Sequence, residues 1–303
     1  MPATDHLPPH ESSPDVKGAS VHDRRAPFRR ILFPVDFSIP CDQMAPSVAA
    51  VQEAMGAGLV LLHSLYPDRS WPANGGTEWK LLQQKTEEHL KAFAAAHFAA
   101  GRPDLVLETG EPAAAISRSV EARHIDLVMM PTHGYGLFRR AVLGSVTTRL
   151  LHHVGCAIWT ASHAEAQGSP AVRNILYGLE DPACGAALLA SAAHIAHTLG
   201  ATLTIVHAYP DFSGTSAACY ERHIPRRTEA VIRRKLTNLQ TAAGTSAPVV
   251  IAGGEVDYVI AETARRRHAD LVILGRGSFG GFLDSIGSHL YFVIRSSPCP
   301  VLV

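Results

Sequence analysis

The amino-acid sequence predicts two tandem α/β domains, each built on a five-stranded parallel sheet with helices on both faces. Three observations lead to this prediction. The chain repeats itself at a fixed offset of 144 residues, short apolar runs recur five times in each copy, and longer amphipathic stretches lie between those runs. Strands that alternate with helices in this way form parallel sheets through right-handed crossovers.

The internal repeat rests on four pairs of matching segments. The pairs are 30–36 with 174–180, 61–67 with 205–210, Gly110-Glu111 with Gly254-Glu255, and 126–128 with 270–272. Four pairs at one offset are hard to obtain by chance, so the chain carries two copies of one domain.

The apolar runs are rich in Val, Ile and Leu and lack polar alternation, which is typical of strands covered on both faces. They predict strands at 30–35, 58–65, 104–108, 125–130, 156–160, 174–179, 201–208, 248–252, 270–274 and 299–303. Amphipathic stretches of the first copy predict helices at Asp42–Met55, Thr77–Ala99, Pro112–Arg123 and Ser145–His153. Open parallel sheets bind ligands beyond the carboxyl ends of their strands, where the strand order reverses. Functional residues are therefore expected just after the first, second and fourth strands.

These elements divide the chain into four parts. Residues 1–27 are rich in Pro, His, Ser and Asp and lack the apolar segment of a secretory signal, which predicts a disordered tail. The two domains are predicted at 28–162 and 173–303, and a small polar linker joins them at 163–172.

Composition narrows the classes of function. The 27 Lys and Arg balance 27 Asp and Glu, so no global field attracts nucleic acid or an acidic membrane. No apolar run approaches the roughly 18–20 residues that span a bilayer. Five cysteines without Cys-x-x-Cys spacing predict reduced thiols in a cytoplasmic protein. His194 and His197 lack a third donor nearby in sequence, so no metal site is predicted.

A glycine-bracketed loop follows the fourth strand of the first copy. It runs from Pro131 through His133, Gly134, Arg139 and Arg140 to Gly144, and a helix is predicted to begin at Ser145, with Ser145 suited to be its N-cap. Glycines let main-chain N–H groups approach an anion, and a helix N-terminus adds unpaired amides and a positive dipole end. The loop therefore has the features of a polyphosphate cradle. Its two arginines would add counter-charge unless they are merely solvated.

Together with three other segments, this loop resembles the universal stress protein family. The segments are Ile31–Ser38, Leu61–His63 and Gly110–Pro112. The family's loop pattern is Gly-x2-Gly-x9-Gly-Ser/Thr, and this chain has Pro131 in place of the first glycine, which removes one N–H donor. The resemblance covers nearly all of 29–303 and implies a Rossmann-like fold with strand order 3-2-1-4-5 in each domain.

The resemblance further implies an ATP site in the first domain. The cofactor-binding residues that it implies are Pro34, Val35, Asp36, Ser64, Met130, Pro131, His133, Gly134, Gly144, Ser145, Val146 and Thr147. Asp36 would contact the ribose or metal-bound phosphates (with Mg²⁺ as the metal), Ser64 would mark the adenine edge, and the last four residues would cap the phosphates. Two alternatives stay open: Asp36 as a cap of the following helix, and His133 as a turn residue without a ligand. His63 and His207 lie inside apolar strands and are predicted to be core histidines.

The second copy has an altered loop. Glu180 stands in place of Asp36, and Phe282 and Asp284 stand in place of the two loop arginines. Since an acid repels a polyphosphate, weak or no ATP binding is predicted there. The segment 275–280 spells G-x-G-x-x-G, but too few residues follow it for the helix, strand and acid of a dinucleotide site.

The leading hypothesis is a cytoplasmic ATP-binding stress protein that acts as a sensor or regulator. No paired carboxylates or Ser/His/Asp set predicts a fast enzyme, although slow ATP hydrolysis stays open. One alternative is a tandem scaffold that binds no nucleotide and works through protein–protein contacts. Another, an adenylate-forming or nucleotidyl-transfer enzyme, would need a substrate pocket that the sequence does not reveal. The resemblance also implies that the two copies pair through their fifth strands and that two chains form a homodimer.

Overall fold

The computed structural model of the chain describes residues 26–66, 76–132, 143–161, 171–179, 185–209, 224–275 and 288–303. The strands within them are β1 (Arg30–Pro34), β2 (Gly58–Leu65), β3 (Asp104–Thr109), β4 (Leu127–Pro131), β5 (Ala157–Ala161), β6 (Asn174–Leu179), β7 (Thr202–Tyr209), β8 (Val249–Gly253), β9 (Leu271–Leu274) and β10 (Val301–Leu302). The helices are α1 (Ile39–Met55), α2 (Thr77–His97), α3 (Pro112–Ala122), α4 (Ser145–His153), α5 (Ala186–Leu199), α6 (Arg226–Ala243), α7 (Val256–Arg266) and α8 (Ser288–Ser296). Nearly all of the predicted tail and linker lies outside the described residues.

The strands form one ten-stranded sheet in the order β3-β2-β1-β4-β5-β10-β9-β6-β7-β8. Each half is parallel and has the 3-2-1-4-5 order, which confirms the predicted fold class. The two halves meet where β5 and β10 pair antiparallel, with Trp159 opposite Leu302 and Thr160 opposite Val301. The prediction that the copies pair through their fifth strands is therefore confirmed. The C-terminal strand lies inside the sheet, where its backbone groups are satisfied, rather than at an edge.

The core has three apolar clusters arranged on the two faces of the sheet. One face carries α1, α2, α5 and α6 over a single cluster that runs from the first domain into the second and includes Trp159 and Leu302. On the other face, α3 and α4 cover a cluster of the first domain, and α7 and α8 cover one of the second. The domains thus share apolar burial as well as strand pairing, and burial is the dominant favourable term in association.

The repeated Asp-Leu-Val segments have a structural explanation. The carboxylate of Asp126 accepts hydrogen bonds from the main-chain N–H groups of Arg29 and Arg30, at 2.9 Å each. Asp270 does the same for Arg173 and Asn174, also at 2.9 Å. Each acid therefore fixes the start of the first strand of its domain.

No helix in the described parts of the chain combines the length and the apolar character that a membrane crossing requires.

Candidate functional site

The described members of the predicted site lie near the carboxyl ends of the strands, where β1 and β4 run side by side. The strand order reverses between these two strands, which is where open α/β sheets bind ligands. Helix α1 leaves the end of β1 on one face, and α4 follows β4 on the opposite face, so both helix N-termini flank these strand ends. Of the predicted set, His133 and Gly134 lie outside the described residues.

The N-terminus of α1 is capped by the protein itself. Ser38, only 2% exposed, is the N-cap, and its hydroxyl accepts a hydrogen bond from the N–H of Cys41 at 3.4 Å. Asp36 Oδ1 accepts a bond from the N–H of Ser38 at 3.0 Å. Asp36 therefore braces the turn before the helix, and the alternative that it caps α1 is wrong.

The N-terminus of α4 is open by comparison. Gly144 is the N-cap, with φ −58° and ψ 147°, and no side chain of the described residues caps the helix. The expectation that Ser145 is the N-cap is wrong, because Ser145 is the first helical residue and its exposed side chain makes no capping bond. These dihedral angles suit any residue, so backbone freedom does not require a glycine here. Because glycine has no side chain, the N-cap residue offers no acceptor to the first main-chain N–H groups of α4. Such N–H groups at a helix N-terminus are an arrangement that binds anions.

The loop that leads to α4 is closed at its neck by hydrogen bonds. The N–H of Gly144 donates to the carbonyl of Thr132 at 2.9 Å, and the N–H of Thr132 donates to the carbonyl of Ala161 at 2.9 Å. Thr147, 1% exposed, places its hydroxyl 3.5 Å from the carbonyls of both Pro131 and Thr132. The Thr147 side chain thus ties α4 to the end of β4, and only its main-chain N–H is left to serve a phosphate.

His63, on β2, holds the main chain at the end of β1. Its Nδ1 lies 2.7 Å from the carbonyl of Val35, and because a carbonyl only accepts, Nδ1 carries the hydrogen. The ring of Phe37 stacks on His63 at 4.8 Å, with the Phe37 backbone at φ 60°, an unusual conformation for a residue other than glycine. Burial lowers the pKa of His63. His207 makes the same bond to Leu179 at 2.9 Å and is buried in the core, as predicted, whereas His63 is half-buried.

Other predicted site residues have their polar groups hydrogen-bonded within the protein or their side chains buried. The N–H of Val35 donates to the carbonyl of Leu62 at 2.8 Å, and the hydroxyl of Ser64 donates to the carbonyl of Gly110 at 2.6 Å. Met130 is buried in the cluster beneath α3 and α4 and presents little surface to a ligand. The group best placed to meet a ligand is the carboxylate of Asp36, whose Oδ2 has no partner among the described residues.

A family model described as the universal stress protein family matches the chain twice, at residues 27–161 and 171–303. The chain belongs to the universal stress protein family. A curated relative, the universal stress protein in the QAH/OAS sulfhydrylase 3′ region of Thermus aquaticus, is 29% identical over 133 residues, which cover 43% of this chain and 96% of that protein.

Two solved structures match the tandem arrangement of this universal stress protein. The universal stress protein from Archaeoglobus fulgidus DSM 4304 is 18% identical, with a TM-score of 0.69 over 90% of this chain and 97% of that chain. A putative universal stress protein from Pseudomonas aeruginosa UCBPP-PA14 is also 18% identical, with a TM-score of 0.61 over 91% of this chain and 92% of that chain. At this identity the likeness shows the fold.

The second universal stress protein domain differs at the position of Pro34. Gly178 stands there, and a Cβ atom on it would lie 2.5 Å from Cδ2 of Leu274 and 3.2 Å from Cδ1 of Ile260. Leu274, the counterpart of Met130, is 1% exposed and fills that space. Glu180 and the loop at 276–287 lie outside the described residues.

Proposed function

We propose that this stress-response protein binds one ATP in its first domain and uses the bound state as a regulatory signal in the cytoplasm. The observation that carries the proposal is the contrast between two helix ends at one sheet edge. Ser38 caps α1 and Asp36 braces the turn before it, whereas among the described residues no side chain caps α4 at Gly144. An anionic ligand is therefore directed to α4.

The charge arrangement suits a nucleotide that carries Mg²⁺. Triphosphate oxygens would meet the amides of Ser145, Val146 and Thr147, while Asp36 would face the ribose or the cation through Oδ2. A carboxylate oxygen is a donor that Mg²⁺ prefers, and Mg²⁺ usually binds through one or two carboxylates plus substrate phosphates. The residues present thus fit Mg²⁺ as a partner of the phosphates.

The proposed role is regulation rather than fast catalysis. In the described part of the site, the ionisable side chains that face it are Asp36 and His63. The histidine Nδ1 is engaged with the carbonyl of Val35. Among the described contacts, neither Asp36 nor His63 is hydrogen-bonded to a hydroxyl or thiol side chain, so the proposal includes no activated nucleophile.

Native mass spectrometry of the purified full-length chain tests the proposal directly. We expect one nucleotide per chain after incubation with ATP and Mg²⁺. Asp36→Asn should weaken Mg²⁺–ATP binding about tenfold, because it removes a charged oxygen from the cation. Asp42→Asn is the matched control, since Asp42 also lies at the start of α1 but faces His97 at 3.4 Å. A chain that takes up no nucleotide would favour the scaffold alternative, which Pro131 supports because it lacks an N–H donor.

A homodimer is part of the proposal as well. The fifth strands are already paired with each other within one chain, and β3 and β8 form the outer strands of the sheet. Two chains would therefore associate through a surface other than the fifth strands.

A further inference from the structure

The end of the first domain's loop is held by the second domain. Leu143, which directly precedes the N-cap Gly144, is 6% exposed. Its side chain belongs to the apolar cluster of α7 and α8 rather than to the cluster beneath α3 and α4. Among the described residues, it is the buried member of that cluster that the first domain contributes.

A hydrogen bond reinforces this contact at the backbone. The N–H of Leu143 donates to the hydroxyl oxygen of Tyr291 on α8 at 3.2 Å. The next residue along the chain is Gly144, whose N–H is tied to Thr132 and whose carbonyl accepts the first helical bond of α4, from Thr148 at 2.9 Å. The position of the amides that open α4 therefore depends on a side chain of the other domain.

We propose that Tyr291 is a positioning residue for the phosphate end of the first-domain site, supplied by the domain that is predicted to bind ATP weakly or not at all. The inference rests on the proposed function, because it assumes that phosphates lie at the start of α4. Tyr291 does not touch the nucleotide. It acts by fixing Leu143, and through Leu143 the uncapped amides at Ser145 and beyond.

The repeat places no tyrosine at the equivalent position of the first domain. Tyr291 is the fourth residue of α8, and the fourth residue of α4 is Thr148. A threonine hydroxyl lies directly on Cβ and cannot reach as far as a tyrosine hydroxyl. The side chain that contacts Leu143 is therefore peculiar to α8 and has no counterpart of similar length on α4.

Tyr291→Phe tests the proposal with the full chain, because it removes the hydroxyl and keeps the ring. Two readouts are needed: amide hydrogen exchange at Leu143–Gly144 without ligand, and the affinities for ATP and for adenosine. We expect exchange at that segment to accelerate and ATP affinity to fall about three- to tenfold, the loss of one hydrogen bond, with adenosine affinity unchanged. Tyr258→Phe, at a half-buried tyrosine on α7, is the matched control and should change neither readout.

The outcomes separate this inference from the proposed function. If the parent protein binds no ATP, the proposed function fails, and hydrogen exchange alone decides whether Tyr291 holds the loop end. If the parent binds ATP and Tyr291→Phe binds it equally well, the positioning role is refuted. Equal losses of affinity for ATP and for adenosine would also refute it. A residue that positions the phosphate end should lower the affinity for ATP and leave the affinity for adenosine unchanged.

Discussion

Substitutions at Gly144 separate the ligand-binding role of the α4 N-terminus from its structural role. Gly144 has ordinary dihedral angles, so Ala, Asn and Asp all fit its backbone. Ala leaves the helix end uncapped, Asn caps it with a neutral oxygen, and Asp caps it with a charged one. We expect ATP affinity to fall in the order parent, Gly144→Ala, Gly144→Asn, Gly144→Asp. The free energy of unfolding should instead rise alike in Gly144→Asn and Gly144→Asp, because both side chains cap the helix, and should fall in Gly144→Ala, because alanine is a poorer N-cap than glycine.

The magnitudes follow from the position of the new carboxylate. An N-cap Asp would occupy the place of a phosphate, about 5 Å from the rest of the triphosphate, and at an effective dielectric constant of about 20 each charge pair costs about 3 kcal/mol. Gly144 is half-buried, so screening lowers this cost to about 1.5–3 kcal/mol, or roughly 10- to 100-fold in affinity. Asn or Asp in place of a glycine N-cap stabilises a helix by a few tenths of a kcal/mol. Gly144→Asp should therefore lower the affinity for ATP while slightly raising the free energy of unfolding.

Titration calorimetry with Mg²⁺–ATP and urea unfolding without nucleotide measure the two effects. The difference between Gly144→Asp and Gly144→Asn isolates charge, because both side chains cap equally well. Gly144→Asp binding ATP as tightly as the parent would refute the placement of phosphates at α4. A large loss of stability in Gly144→Asn would show instead that glycine is needed for the fold.

Two further predictions concern the core. Burial lowers the pKa of His63 in the folded chain below its ordinary value near 6.5, so the unfolded chain binds the proton more readily. The neutral histidine's contribution to the free energy of unfolding is therefore complete above pH 6.5. It is lost as the pH falls through the folded-state pKa. His63→Gln should therefore flatten the loss of unfolding free energy between pH 7 and pH 5, and urea titrations that show parallel curves would contradict this. Leu302→Ala should destabilise the chain by about 2–4 kcal/mol, because Leu302 is buried where the domains meet, whereas the half-exposed Val303→Ala should cost less than about 1 kcal/mol. Equal losses in urea unfolding would show that the domains do not depend on this contact.

The strands and helices could be predicted from the sequence because the strands are short continuous apolar runs and the helices are longer amphipathic stretches. The predicted strand at 58–65 and helix at Ser145–His153 have the bounds that the structure gives. Helix α1 begins three residues earlier than predicted, at Ile39. Ser38 followed by Pro40 is the cap-and-proline signature of a helix start, and it could have placed this end correctly.

Features of the site that depend on tertiary contacts could not be predicted. The choice of Gly144 over Ser145 as N-cap depends on where the neck of the loop is tied, by the Gly144–Thr132 bond. The φ of 60° at Phe37 is accompanied by stacking on His63, a residue of the neighbouring strand. The Leu143–Tyr291 bond joins residues 148 positions apart, on opposite sides of the domain boundary. No local pattern reports such contacts.

Under the proposed function, the duplicated architecture gives the second domain a role that needs no ligand site of its own. The shared cluster beneath α1 and α5 and the β5–β10 pairing give both domains a common core, so neither depends on a bound ligand for its packing. In the second domain, the buried Leu274 fills the space beside Gly178, at the positions that Met130 and Pro34 hold in the first. Antiparallel pairing of the fifth strands also brings Tyr291 of α8 to the neck of the first domain's loop. A substitution in the second domain that moves α8 is therefore expected to change the neck of the first domain's loop.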